Sequence, residues 1–295
     1  MSTKNNSTLL PVISCLLAAT LWGVLWYPLR VLEGMGMPGL WATLIIYLSA
    51  FAPVWPYFWK QRNGLRSQGP LFVLLGLFAG WTNLAFILAM LEGHVVRVLL
   101  LFYLSPIWTL IFGFIFLHER LSTLARYSLF VSFSGALVIL WPADTSSLLQ
   151  LNQADLLAIS AGVAFAAHNV VARKLGDIPI ILKMGSAWTG VVILTVAGLL
   201  LFQTLPPVFG GPSLALAIFT GCVGMSLMTF TALYGVTHLP VHRSAAIMLF
   251  EVFAGAVSAA LLTEEVLTVR EWAGGLLIIF AAWLTIRDLM NNPVT

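Results

Sequence analysis

The chain is a succession of apolar stretches, each about long enough to cross a bilayer, separated by short segments that carry Pro, Gly or charge. A spanning helix needs roughly 20 predominantly apolar residues. Hydrophobic residues make up 60% of the chain and charged residues only 8%, too little charge to cover a soluble surface of this size. The excess apolar surface therefore faces lipid. The windows predict an all-α integral membrane protein with ten transmembrane helices, over 9–32, 36–59, 70–91, 95–117, 124–142, 154–175, 181–203, 212–236, 241–262 and 270–288. Ten spans use up the length, leaving no room for a separate soluble domain. The first stretch shows no small-residue cleavage site and reads as a retained helix. Pro70, Pro212 and Pro240 open helices, where a missing amide is tolerated.

Charge sets the sidedness. With both termini cytoplasmic, the inner segments hold Lys4, Lys60, Arg62, Arg66, Arg120, Arg126, Arg173, Lys174, Lys183, Arg243 and Arg287, and the outer segments only Arg30, Arg97 and Arg270. This matches the bias of cytoplasmic loops toward Lys and Arg. The net charge of +3 is explained by that bias, and no basic run exceeds two residues, so a nucleic-acid partner is not expected. Cys15 and Cys222 both lie in apolar stretches and imply neither a disulfide framework nor a metal cluster. His238 and His242 are four apart, but Pro240 stands between them and no third ligand is near. No metal site is expected.

The two halves echo each other. "LHERLSTLARY" (117–127) resembles "TEEVLTVREWA" (263–273) at a shift of 146, which also carries Arg97 onto Arg243. A shift of 143 places Arg30 on Arg173. Five spans per copy is an odd number, so the second copy enters the membrane from the opposite side. Two inverted five-helix repeats, 1–146 and 147–295, around a central cavity are therefore expected. Inverted repeats accompany alternating access, with the substrate at the repeat interface. The alternative is that apolar helices resemble one another.

Particular residues carry a resemblance to a known family. Leu21-Trp22-Gly23 in the first helix, Pro106 followed by Leu117, Glu119, Arg120 and Leu121, and "ADLLAISAGVAFAAHNVVARKLG" (154–176) resemble the drug/metabolite transporter superfamily, in its EamA-like branch. The stretch from Trp22 to Ala50 and "FYLSPIWTLIFGFIF" are most similar to the YddG-type aromatic amino-acid exporters. The resemblance implies a bacterial-type cytoplasmic (inner) membrane location and a cavity lined by helices 1, 3, 4, 6, 8 and 9. It implies no cofactor. Val252 stands where many members carry a second proline, which weakens the expectation of a symmetric pair of kinks.

Glu251 is the one acidic residue in mid-span, where a charge costs about 2.5–3.5 kcal/mol on insertion scales. With His168, it reads either as a proton or substrate-ammonium site or as a structural hydrogen bond between helices. Pro106 frees the carbonyl of Phe102, giving a hinge or a static kink. Trp22, Trp81, Phe102 and Tyr103 are candidates for an apolar substrate pocket, with core packing as the rival. Asn83, Asn169, Ser226 and Thr229 are candidates for the polar ends of a substrate, or for helix–helix contacts. Gly76 and Gly80 form a GxxxG pattern that reads as close helix packing. Arg243 reads as snorkelling to the surface or attracting a substrate carboxylate.

A carrier exporting aromatic and other apolar amino acids is the leading reading. Carriage of another small neutral metabolite or a drug is the alternative. An intramembrane enzyme is a distant third, because no aspartate pair lies at membrane depth and no Gly-x-Ser-x-Gly is present. No Walker A sequence occurs, so direct ATP drive is not expected. An internal repeat supplies within one chain the interface that shorter relatives make by pairing, which allows a monomer.

Overall fold

The computed structural model describes residues 3–92, 95–119, 122–141, 151–206, 208, 210–263 and 267–291. Regular structure among the described residues is all helical, with no strand. Among the described residues, nine apolar runs are long enough to cross a membrane, one of them, Gly39–Met90, being 52 residues long. The 146/147 junction, Arg120, Leu121, Asp144, Glu264 and Glu265 lie outside the described residues.

Several predicted spans are interrupted. The first is α1 (Thr3–Val24) and α2 (Trp26–Gly34). It is followed by α3 (Gly39–Gln61), a 3-10 turn (Arg62–Gln68) and α4 (Gly69–Glu92). The fourth span is α5 (Val95–Phe102) and α6 (Ser105–Leu117), and the fifth is α7 (Thr123–Leu140). Then come α8 (Gln153–Lys174) and α9 (Ile180–Leu201). The eighth is α10 (Gly211–Phe219), a π turn (Thr220–Met225) and α11 (Ser226–His238). The ninth is α12 (Val241–Met248) and α13 (Phe250–Leu262), and α14 (Val269–Asn291) is last.

Two breaks have the same chemical cause. A proline cannot donate to the carbonyl four residues earlier. Helix α1 ends at Val24, four before Pro28, and α5 ends at Phe102, four before Pro106. The break at Leu249 needs no proline: the Val252 amide turns to the Leu249 carbonyl at 3.1 Å, a tighter three-residue bond. The kink in the ninth span thus forms without the residue whose absence argued against it.

Close backbone approach holds the bundle. Helix α4 packs on α8 and α9, α7 on α14, α1 on α11 and α13, α3 on α9, and α6 on α8. A Cβ at Gly76 would lie 2.7 Å from the Ser186 carbonyl oxygen, and one at Gly190 would overlap the Gly76 carbonyl. Gly76 and Gly80 therefore mark a helix crossing.

Buried ion pairs tie the ends. Arg97 meets Asp155 through Nε at 2.6 Å and a second N–H at 2.7 Å, while Asp155 also forms the capping box of α8 with Asn152. Arg243 is buried and donates to Asp288 at 2.7 and 2.8 Å. Arg243 therefore neither snorkels nor waits for a substrate carboxylate, because Asp288 already compensates it. Lys183 is also enclosed, donating to the carbonyls of Ala172 and Gly176 and to the Thr237 hydroxyl.

Candidate substrate cavity

A cavity of about 190 Å³ lies where the interrupted helices meet. Trp22 enters it from the end of α1, and Gly23 lets α1 approach α13 closely, since a Cβ there would sit 2.6 Å from the Glu251 carbonyl oxygen. The Ser258 hydroxyl donates to the Gly23 carbonyl at 3.1 Å and accepts from the Trp26 indole at 2.8 Å. This fixes the Leu-Trp-Gly segment against the second half of the chain.

Helix α4 presents Ala79, Thr82, Asn83 and Phe86, one helical face, to the cavity. Asn83 is held on both sides: its amide donates to the Ala79 carbonyl, and its oxygen accepts from the Tyr47 hydroxyl at 3.0 Å. Thr229 accepts from the Trp188 indole at 3.2 Å. His168 Nδ1 donates to the Leu75 carbonyl at 3.3 Å, bridging α8 to α4. Asn169 lines the same wall.

The opposite region is aromatic. The Phe102 ring lies 4.9 Å from Phe86 and 5.6 Å from both Tyr103 and Phe165. The Phe102 carbonyl, freed by Pro106, lies against Gly162 of α8, where a Cβ would be 2.8 Å away. Beside this cluster Tyr103 and Glu251 line the same cavity. Glu251 is in the first turn of α13, just past the Leu249 break. Among the described residues, those lining the cavity include this carboxyl and no Lys or Arg.

Eight of the ten residues expected to bind substrate therefore line one cavity: Trp22, Asn83, Phe102, Tyr103, His168, Asn169, Thr229 and Glu251. Trp81 does not. It lies off the cavity face of α4, 41% exposed, and donates to the Ser160 hydroxyl at 3.2 Å. Ser226 does not either, because the preceding π turn rephases the helix and its hydroxyl points to the carbonyls of Ala50 and Gly221. Pro106 is buried at the start of α6, and the break lies upstream of it at Tyr103–Leu104. Tyr47 and Trp188 line the cavity unexpectedly, on α3 and α9, because the second and seventh spans also face inward.

The two histidines spaced by four turn to different partners. His238 bonds the Tyr234 carbonyl at 2.7 Å, and His242 faces Glu119 at 3.4 Å. Glu119 also accepts from the Val241 amide at 2.9 Å and pairs with Arg173 at 3.5 Å. One polar cluster thus joins the ends of α6, α8 and α12.

Apolar membrane-length helices around a cavity with an aromatic wall and one carboxyl define a membrane transporter for a small molecule. The comparisons give the family. A match to the EamA-like transporter family covers residues 9–141 and again 152–287. No curated protein matches the chain. Among solved structures, 28 chains match, including a crystal structure with a TM-score of 0.74 over 95% of this chain and 97% of its own, at 18% identity. That likeness is one of fold alone. The chain belongs to the EamA-like transporter family, within the drug/metabolite transporter superfamily, and is a multi-pass membrane protein.

Proposed function

We propose that this transporter exports amino acids, aromatic and other apolar ones first, by alternating access and without ATP. The observation that carries the proposal is the pairing of a carboxyl, Glu251, with the aromatic cluster at Phe102 in a cavity whose lining, among the described residues, has no Lys or Arg. The carboxyl suits a substrate ammonium, the rings suit an apolar side chain, and the amides of Asn83 and Asn169 with the Thr229 hydroxyl are neutral donors for the carboxylate. An ammonium over aromatic faces gains further from the ring quadrupole.

Alternating access needs two related halves, and several observations support ten helices in two inverted repeats, 1–146 and 147–295. The 52-residue run contains two helices, α3 and α4, both packed on α9 and separated by the 3-10 turn. The family matches twice in tandem. The contacts between halves come in related pairs: α4 on α8 answers α11 on α1, and α6 on α8 answers α13 on α1. The breaks at Tyr103–Leu104 and Leu249 fall at equivalent positions under the 146-residue shift. These breaks, with Pro106 at the first, are the proposed hinges. The eleven-to-three split of Lys and Arg supports cytoplasmic termini in a bacterial-type inner membrane.

The test is a substrate panel in liposomes holding the purified chain. The proposal expects release of phenylalanine, tryptophan and leucine without ATP. Flux of sugars or nucleosides with none of any amino acid overturns the cargo and leaves the transporter class standing.

A further inference from the structure

A second concavity, separate from the substrate cavity, lies on the outer flank of α4 and α9. It is a groove of about 400 Å³. Val73 (62% exposed) and Ile193 (59% exposed) form its walls, and the backbone crossing at Gly76 and Gly190 forms its floor. On a helix pair that spans a bilayer, such a groove faces acyl chains.

One end of the groove is closed by Leu65 and Gly69, where the 3-10 turn runs into α4. That turn carries Arg62 and Arg66, both exposed, with exposed Lys60 just before it. Residues three apart align on a 3-10 helix, so Arg62 shares a face with Leu65. The Arg62 guanidinium rests 4.2 Å over the Trp59 ring and donates one N–H to the Trp59 carbonyl at 2.8 Å. Trp59 stacks on Trp55 at 5.4 Å, and such paired indoles sit at headgroup depth. The guanidinium is thus held at the membrane–water boundary with donors to spare. No acidic residue occurs between Glu33 and Glu92.

We infer that this groove binds an anionic phospholipid, with an acyl chain along α4 and α9 and the phosphate at Arg62 and Arg66. A zwitterionic lipid offers the same chain but sets its own cation beside three others. Juxtamembrane basic residues attract anionic headgroups by a comparable increment each. The site is independent of what the central cavity carries.

Native mass spectrometry of the purified full chain tests this, with palmitoyl-oleoyl phosphatidylglycerol and the matching phosphatidylcholine as probes. Phosphatidylglycerol should bind more tightly, and R62A/R66A should weaken its binding by roughly tenfold or more while leaving that of phosphatidylcholine unchanged. V73W, which fills the groove from an exposed wall, should displace both lipids from the tight site. Equal binding of the two lipids overturns the inference. So does a phosphatidylglycerol preference that survives either R62A/R66A or V73W.

Discussion

Tyr103 and Glu251 line one cavity, and so bring the break between α5 and α6 together with the break between α12 and α13. Each residue sits within two positions of a place where a helix stops and restarts. The carboxyl thereby stands in the cavity where two interrupted helices meet. Under the proposed function, a substrate ammonium at Glu251 would meet residues of both halves of the chain at once, as a ligand that biases two conformations differently must.

Glu251→Gln keeps the shape of the side chain and removes its charge. Transport of phenylalanine should fall by about tenfold or more, the loss of one charge-assisted hydrogen bond of about 1.5–3 kcal/mol. The helical circular dichroism should not change. Tyr103→Phe should have a smaller effect in the same assay, since the carboxyl remains.

Pro106→Ala restores an amide that can reach the Phe102 carbonyl. Transport should slow several-fold while the equilibrium affinity for substrate stays within about twofold, because α6 stiffens and the cavity wall is unchanged. Stopped-flow binding and liposome flux on one preparation separate the two quantities.

Arg243→Ala removes the guanidinium that compensates buried Asp288, whose other partners include Ser122 at 2.6 Å. The variant should lose about 3–5 kcal/mol of stability, the effect of stranding one member of a buried pair. Replacing Asp288 by Ala as well should recover part of that loss. Thermal melting in detergent of the single and double variants checks both statements.

Gly190→Ala sets a methyl group against the Gly76 carbonyl. The crossing of α4 and α9 must open, at about 1–3 kcal/mol for overpacking. A lower melting temperature is expected, with less change at Gly211, where a Cβ meets nothing.

Much of this was legible in the sequence because membrane helices announce themselves by length and polarity. The carboxyl at Glu251 stood out for the same reason. Side chains whose role depends on helical phase were harder to place. Trp81 and Asn83 are two residues apart, and only the register of α4 puts Asn83 in the cavity and Trp81 outside it. Ser226 was lost to a π turn, which no local composition signalled. Tyr47 and Trp188 were missed because the family resemblance implied a cavity lined by six helices, while the α3–α9 contact brings two more inward. Arg243 read as a surface cation because its partner, Asp288, lies 45 residues away. The break at Leu249 carries no proline, so only the amide of Val252 reveals it.

The central claim, that the cavity around Glu251 carries amino acids, is tested most directly by counterflow of labelled phenylalanine in liposomes without ATP. The account predicts saturable flux by the native chain, competition by tryptophan and leucine, and loss of most of the flux in Glu251→Gln. Native-level flux in the folded Glu251→Gln variant, or no flux of any amino acid by the folded native chain, would contradict it.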